Sequence, residues 1–389
     1  MKRTLISALA ALALLAIGCE KNTNPVVKVD GGSVQGTLEE GVLIYKGIPF
    51  AAPPVGELKG KALQPVQPWE GVLQATQFAP AAVQDPISKD DPIYYREFYE
   101  GEEVTYSEDC MYLNIWAPAS VVGKPQSKAP VAVWIHGGAM THGYSYEKEF
   151  DGVAWAEKGV ILVTIPYRLG ELGFGASGLL GFQDQISALK WVQRNIPAFG
   201  GDPANVTIVG QSAGSISCKY LFTFPEAEPL FSKAIFHSGG GLNLMENPPI
   251  LPPGTRGEII PEAFEKGAFD KKPILMGWVA QDPGFLGKES TEPFAAALAA
   301  RGNKQVYVFD FERDLPGEAE GEPNWGAFHT FELWYSFGTL GRSWRPFTEA
   351  DYALSRRMID AWTGFISSGN PGWEAATPDN LHTEVFDIQ

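Results

Sequence analysis

Apolar residues in this chain fall into short continuous runs separated by stretches of helical spacing. Val131-Ala132-Val133-Trp134-Ile135 is one such run, and 160–165, 206–209, 234–236, 273–276 and 305–309 are others. A run with no polar alternate reads as a strand covered on both faces. Between them, 183–196 places Ile186, Leu189, Val192 and Ile196 on one helical stripe. The segment 351–367 does the same with Leu354, Met358, Ala361, Trp362 and Phe365. Strand–helix alternation predicts an α/β fold with a mostly parallel, doubly wound sheet. Such sheets carry their sites at the carboxyl ends of strands. Residues 26–45 break the pattern and read as small antiparallel strands with turns at Gly31-Gly32, Gly36 and Gly41. The acidic, aromatic stretch 85–109, with Tyr94, Tyr95, Phe98 and Tyr99, reads as a surface excursion packed on itself. Its aromatics are alternatively the lining of a site mouth.

No repeat, low-complexity block or flexible linker divides the chain, so 26–389 is expected to be one domain. The N-terminus is different. Lys2 and Arg3 precede an apolar run, Leu5 to Ile17, that is short for a membrane span. Ala16-Ile17-Gly18-Cys19 follows and fits a bacterial lipobox. Residues 1–18 are therefore expected to be a lipoprotein signal peptide, Cys19 the lipidated residue and 19–25 a tether. The expected location is the bacterial cell envelope, held to a membrane by the lipid, with Glu20 pointing to the outer membrane in a Gram-negative host. A net charge of −16 argues against nucleic acid and anionic headgroups as partners.

The chemistry concentrates at Gly210-Gln211-Ser212-Ala213-Gly214. A β-branched run precedes this G-x-S-x-G and a segment able to form a helix follows it. A serine on a sharp strand-to-helix turn needs glycines two residues to either side. The turn lifts the hydroxyl above the sheet edge and sets the Ala213 N–H beside a reacting carbonyl. A second glycine turn, His136-Gly137-Gly138-Ala139, follows the strand that ends at Ile135.

With these residues the chain resembles the type-B carboxylesterases, the α/β-hydrolase branch that includes cholinesterases and bacterial p-nitrobenzyl esterases. Further matching segments are 46–51, 53–56, Glu108-Asp109-Cys110-Met111-Tyr112-Leu113-Asn114-Ile115, Tyr167-Arg168-Leu169-Gly170 and 189–196. The resemblance implies an α/β-hydrolase fold and a serine carboxylic-ester hydrolase that needs no cofactor or metal and acts on a small-molecule ester. The alternative it leaves open is an inactive binding or adhesion protein on the same fold.

The hydrolase order is serine, then acid, then histidine. Of five histidines, His329 and His382 lie downstream of the other candidates. His329, in Gly326-Ala327-Phe328-His329-Thr330-Phe331-Glu332, resembles the family's base segment, with Glu332 as a supporting acid. Asp282, after the 273–276 run, stands where the family carries glutamate, with Asp310 and Asp314 as neighbouring alternatives. A shorter acid requires a closer backbone approach to His329. Gly138, Ala139 and Ala213 are the expected oxyanion donors, and Ser238 matches a serine that supports the acid.

Several positions depart from the family. Gln211 replaces a glutamate, which removes one anion beside the nucleophile and any advantage for choline-like esters. Ala82 stands where a disulfide partner of Cys110 is usual, so that bridge is expected to be missing. Cys218 reads as a small buried apolar residue. The intervals from Ser212 to Asp282 and from Asp282 to His329 are short. Helices that usually cover the site are missing, and the Pro-rich 247–254 occupies one gap. A reduced cap and a more open cleft are the expected result.

Overall fold

A computed structural model describes residues 24–85, 87–89, 92–175, 179–242, 259–317 and 325–388. The lipobox and the Pro-rich 247–254 lie outside the described residues. The central sheet has ten strands: β1 (Thr37–Glu39), β2 (Val42–Pro49), β3 (Tyr112–Pro118), β4 (Ala129–Ile135), β5 (Ile161–Ile165), β6 (Gly201–Gln211), β7 (Lys233–His237), β8 (Ile274–Val279), β9 (Val306–Phe311) and β10 (Thr383–Phe386). Their spatial order is β1-β2-β3-β5-β4-β6-β7-β8-β9-β10. The first three pairings are antiparallel and every later one is parallel. The crossing of β4 and β5 is the signature of a doubly wound sheet. The chain thus has the mostly parallel, doubly wound sheet expected from its alternation, in the α/β-hydrolase arrangement that the resemblance implies.

Period-two geometry divides the core into two layers. Val131, Val133 and Ile135 of β4 face one layer, with α1 (Leu180–Asn195) and α2 (Ala213–Leu221) supplying Phe182, Ile186, Leu189, Ile216 and Tyr220. Ala132 and Trp134 face the other, against α4 (Glu332–Phe337) and α5 (Glu349–Ser368) through Trp334, Met358, Trp362 and Phe365. A further helix, α3 (Lys288–Ala300), packs on β8 and β9. Thr348 opens α5 with a capping box, its hydroxyl and the Asp351 carboxylate closing the first turn.

Residues 93–99 turn inward rather than packing only on themselves, and Tyr94, Phe98 and Tyr99 line the cavity that holds Ser212, the alternative reading of this stretch. Phe98 is buried and stacks on Trp334 at 5.9 Å, so its ring belongs to the core. Both remaining cysteines are free and buried. Cys110 and Ala82 line the same small cavity, where a bridge would otherwise lie.

The matched motifs brace the strand ends. Asn114 of β3 accepts from the Gly47 N–H at 2.9 Å and donates to Thr164 Oγ1 at 3.0 Å. Arg168 makes a two-pronged contact with Asp184 of α1, Nε to Oδ2 at 2.8 Å and Nη2 to Oδ1 at 2.7 Å, both side chains buried. Asp184 Oδ2 also accepts the Arg168 N–H at 3.0 Å. Removing one partner of such a pair strands a buried charge. Asp184→Ala should therefore cost about 3–5 kcal/mol. A urea midpoint unchanged from wild type would contradict this.

Candidate active site

β6 ends at Gln211, and α2 starts at Ala213. Only Ser212 joins them, and it adopts φ 54°, ψ −122°. This conformation is strained for any residue with a Cβ. The glycines on either side make it possible. A Cβ at Gly214 would lie 2.0 Å from the Ile135 carbonyl oxygen, and one at Gly210 would lie 2.4 Å from Gly214. The Ser212 N–H donates to the His237 carbonyl at 3.0 Å, which anchors the turn to β7.

Beside it, the loop after β4 turns through Gly138 and Ala139 at φ 92° and 53°. Tyr167 holds this loop, its hydroxyl donating to the His136 carbonyl at 2.7 Å and its ring stacked on the His136 ring. The Gly170 N–H donates to the Met140 carbonyl at 2.7 Å. Among the described residues, no acceptor is bonded to the N–H groups of Gly138, Ala139 or Ala213. Gly138, Ala139, Ser212 and His329 share one cavity of about 470 Å³.

Asp282 and His329 come from separate loops. His329 Nδ1 lies 2.5 Å from Asp282 Oδ1, with the carboxylate fully buried. Asp282 is held by its own turn, its N–H donating to the Val279 carbonyl and its Oδ2 accepting the Val279 N–H. The Gln281 N–H donates to the Ala327 carbonyl at 3.0 Å, which ties the Asp282 turn to the His329 loop. This contact supplies the closer approach that an aspartate requires. Burial opposes charging of His329, but the Asp282 carboxylate outweighs it and raises the imidazole above its ordinary value. Asp310 sits on β9, and His382 precedes β10 at the sheet edge beside Glu384. Among the described residues, neither is hydrogen-bonded to the pair.

Behind them lies a buried chain. Trp362 Nε1–H donates to His237 Nε2 at 2.7 Å, leaving the His237 proton on Nδ1, 3.1 Å from Glu332 Oε1. Burial holds His237 neutral, pushed down to about 3. Burial first, and then the Asp282 charge, push Glu332 up to about 8. Ser238 departs from its expected role: its Oγ is buried without a hydrogen-bond partner and does not bond Asp282. The Val279 N–H supports the acid instead.

Three contacts were not anticipated. Tyr94 Oη–H donates to the His329 carbonyl at 2.6 Å, so the aromatic segment steadies the base loop. Gln211 Nε2 lies 3.1 Å from His329 Nε2. Glu147 lines the cavity, pushed up to about 7 by burial. A tyrosine amid other tyrosines carries no sequence signal for the first contact.

The family model described as the carboxylesterase family matches residues 23–249 and 288–383. The chain belongs to the carboxylesterase family. Its para-nitrobenzyl esterase relative from Bacillus subtilis is 31% identical over 472 aligned positions, covering 93% of this chain and 94% of that protein. That alignment is longer than the 389 residues present here, so it opens gaps in this chain. A medium-chain fatty acyl-CoA hydrolase precursor from Anas platyrhynchos is 40% identical but is matched over only 46% of its length. The solved structure of a thermophilic PNB esterase superposes with a TM-score of 0.81 at 29% identity, covering 94% of this chain and 97% of that one. The esterase is accordingly a serine carboxylic-ester hydrolase. Asp282 falls between the two matched segments, so its place rests on the geometry above.

Glu332 gives a test of the buried chain. A carboxyl raised from 4.5 to about 8 keeps a proton on folding that the unfolded chain loses between those values. It therefore subtracts stability as pH rises from about 5 to 8. Glu332→Gln removes this loss, so the variant should gain on wild type by about 1 kcal/mol per pH unit across the window. Denaturant midpoints that run parallel in the two proteins would refute it.

Proposed function

We propose that Ser212 is the nucleophile, His329 the general base and acid, and Asp282 the group that orients it, in hydrolysis of small to medium carboxylic esters. Ser212 Oγ attacks the ester carbonyl carbon while its proton passes to His329 Nε2. The carbonyl π electrons move to oxygen, and the oxyanion accepts from the Gly138, Ala139 and Ala213 N–H groups. Each such donor contributes roughly 10²–10³ in rate. His329 then returns the proton to the departing alcohol oxygen as the C–O bond breaks, leaving an acyl ester on Ser212. Water repeats the sequence, giving up its proton to His329, and the acid leaves as Ser212 is reprotonated. Nδ1–H stays on Asp282 throughout, which fixes the tautomer and offsets the imidazolium charge.

The observation that carries this reading is the His329–Asp282 contact at 2.5 Å on the cavity that holds the strained Ser212. A cavity of about 470 Å³ suits a small to medium ester. An inactive binding protein on this fold is expected to have lost the serine or histidine, and both are present. For the N-terminus, we propose cleavage before Cys19, lipidation of its thiol and retention at a membrane of the cell envelope. The apolar run and the Ala16-Ile17-Gly18-Cys19 pattern support this.

Ser212→Ala and His329→Ala should each lower kcat for p-nitrophenyl acetate by more than about a thousandfold at an unchanged melting temperature. Asp282→Asn should lower it by about 10³–10⁴, because the amide favours the wrong imidazole tautomer, whereas Asp310→Asn should be mild. More than about a tenth of wild-type kcat in either alanine variant would remove the assignment.

Cys19→Ser should move the full-length protein from the membrane pellet to the soluble fraction, or leave it unprocessed. A wild-type N-terminal peptide without acyl mass would exclude the anchor.

A further inference from the structure

The base engages an unexpected partner. Nδ1 of His329 is committed to Asp282, so Nε2 of the neutral ring carries the lone pair that must receive the Ser212 proton. Yet Ser212 Oγ makes no hydrogen bond among the described residues. The Gln211 amide nitrogen instead lies 3.1 Å from His329 Nε2.

The amide sits between the His329 loop and Gly137. Its nitrogen also donates to Thr330 Oγ1 at 3.1 Å, so both N–H bonds have acceptors. Its oxygen points toward Gly137, where an added Cβ would come within 2.9 Å of it. Thr330 reaches this position only at φ 83°, a conformation costly for a β-branched residue. Gln211 is 2% exposed at the end of β6, and its side chain faces the substrate cavity alongside Ser212 and His329.

We propose that Gln211 competes with Ser212 for the lone pair of His329, so that the free enzyme rests with its serine unactivated. Substrate entering the cavity displaces the amide and hands the lone pair to the serine. This rests on Ser212 and His329 having the roles given under the proposed function. A residue that could not donate would leave Nε2 open to Ser212 at all times. A carboxylate there would do the reverse, favouring the imidazolium and keeping the base protonated to higher pH.

The test is the rate at which a small fluorophosphonate modifies Ser212 in the free full-length enzyme, located by peptide mass. Gln211→Met keeps the volume and removes the donor. It should be labelled about two- to tenfold faster than wild type, the span expected from one neutral hydrogen bond. Labelling that is equal or slower would overturn the proposal. Gln211→Glu provides the second arm, in case the methionine variant folds poorly. The acid limb of its kcat/KM profile should move up by about one pH unit or more, since a carboxylate at this distance acts on the ring directly. An unmoved limb would also overturn it. Failure of wild type to be labelled at Ser212 is a different result, and would count against the nucleophile itself.

Discussion

Everything at the site depends on how closely α2 can start beneath the end of β4. The Ile135 carbonyl leaves no room for a side chain at Gly214, and Gly214 leaves none at Gly210. With both neighbours packed backbone to backbone, the residue between them is forced to positive φ. That strain costs about 1–3 kcal/mol, and the surrounding parallel strands sustain it. In return, Ser212 stands clear of the sheet with the Ala213 N–H beside it. The Gly138–Ala139 loop is positioned by the same strand, because it leaves β4 at Ile135. One close contact between strand and helix thus sets both Ser212 and the Gly138, Ala139 and Ala213 N–H groups that share its site.

Much of this was legible in the chain. Strands buried on both faces appear as unbroken apolar runs, so β4 to β9 were located from them. Their lengths were less visible. β6 starts at Gly201 through Gly-Asp-Pro-Ala-Asn, which has no apolar signature. β10, with Thr383 and Glu384 half-buried and Val385 exposed, lies at the sheet edge and lacks a continuous run. Local motifs single out Ser212, His329 and Asp282 as candidates. What motifs do not contain is the approach of one loop to another. The bond from Gln281 to Ala327, the Tyr94 hydroxyl under His329 and the Gln211 amide over it all join residues distant in sequence. Ser238 shows the converse. Its motif was present, but the hydroxyl does not reach the acid.

The site is also electrostatically economical. Of the ionisable groups packed around it, His237 is neutral and Glu332 keeps its proton at neutral pH. Lys219 on α2, fully buried, donates to the carbonyls of Gly239, Gly240 and Gly241, and burial lowers it to about 7. The Asp282 carboxylate therefore meets little competition for the His329 imidazole beside it. A charge developing there is balanced by one fixed neighbour rather than by mobile solvent.

The free thiol of Cys110 beside Ala82 has a practical side. Where a cross-link closes this loop, folding waits on an oxidant and the bond adds about 2–4 kcal/mol to stability. Here the loop is held by packing and backbone hydrogen bonds, and both described cysteines are reduced and buried. The catalytic domain can therefore reach its native state with or without oxidising conditions. It can be folded, stored and assayed in a reducing medium, and its activity should not change with the redox poise of the compartment that receives it.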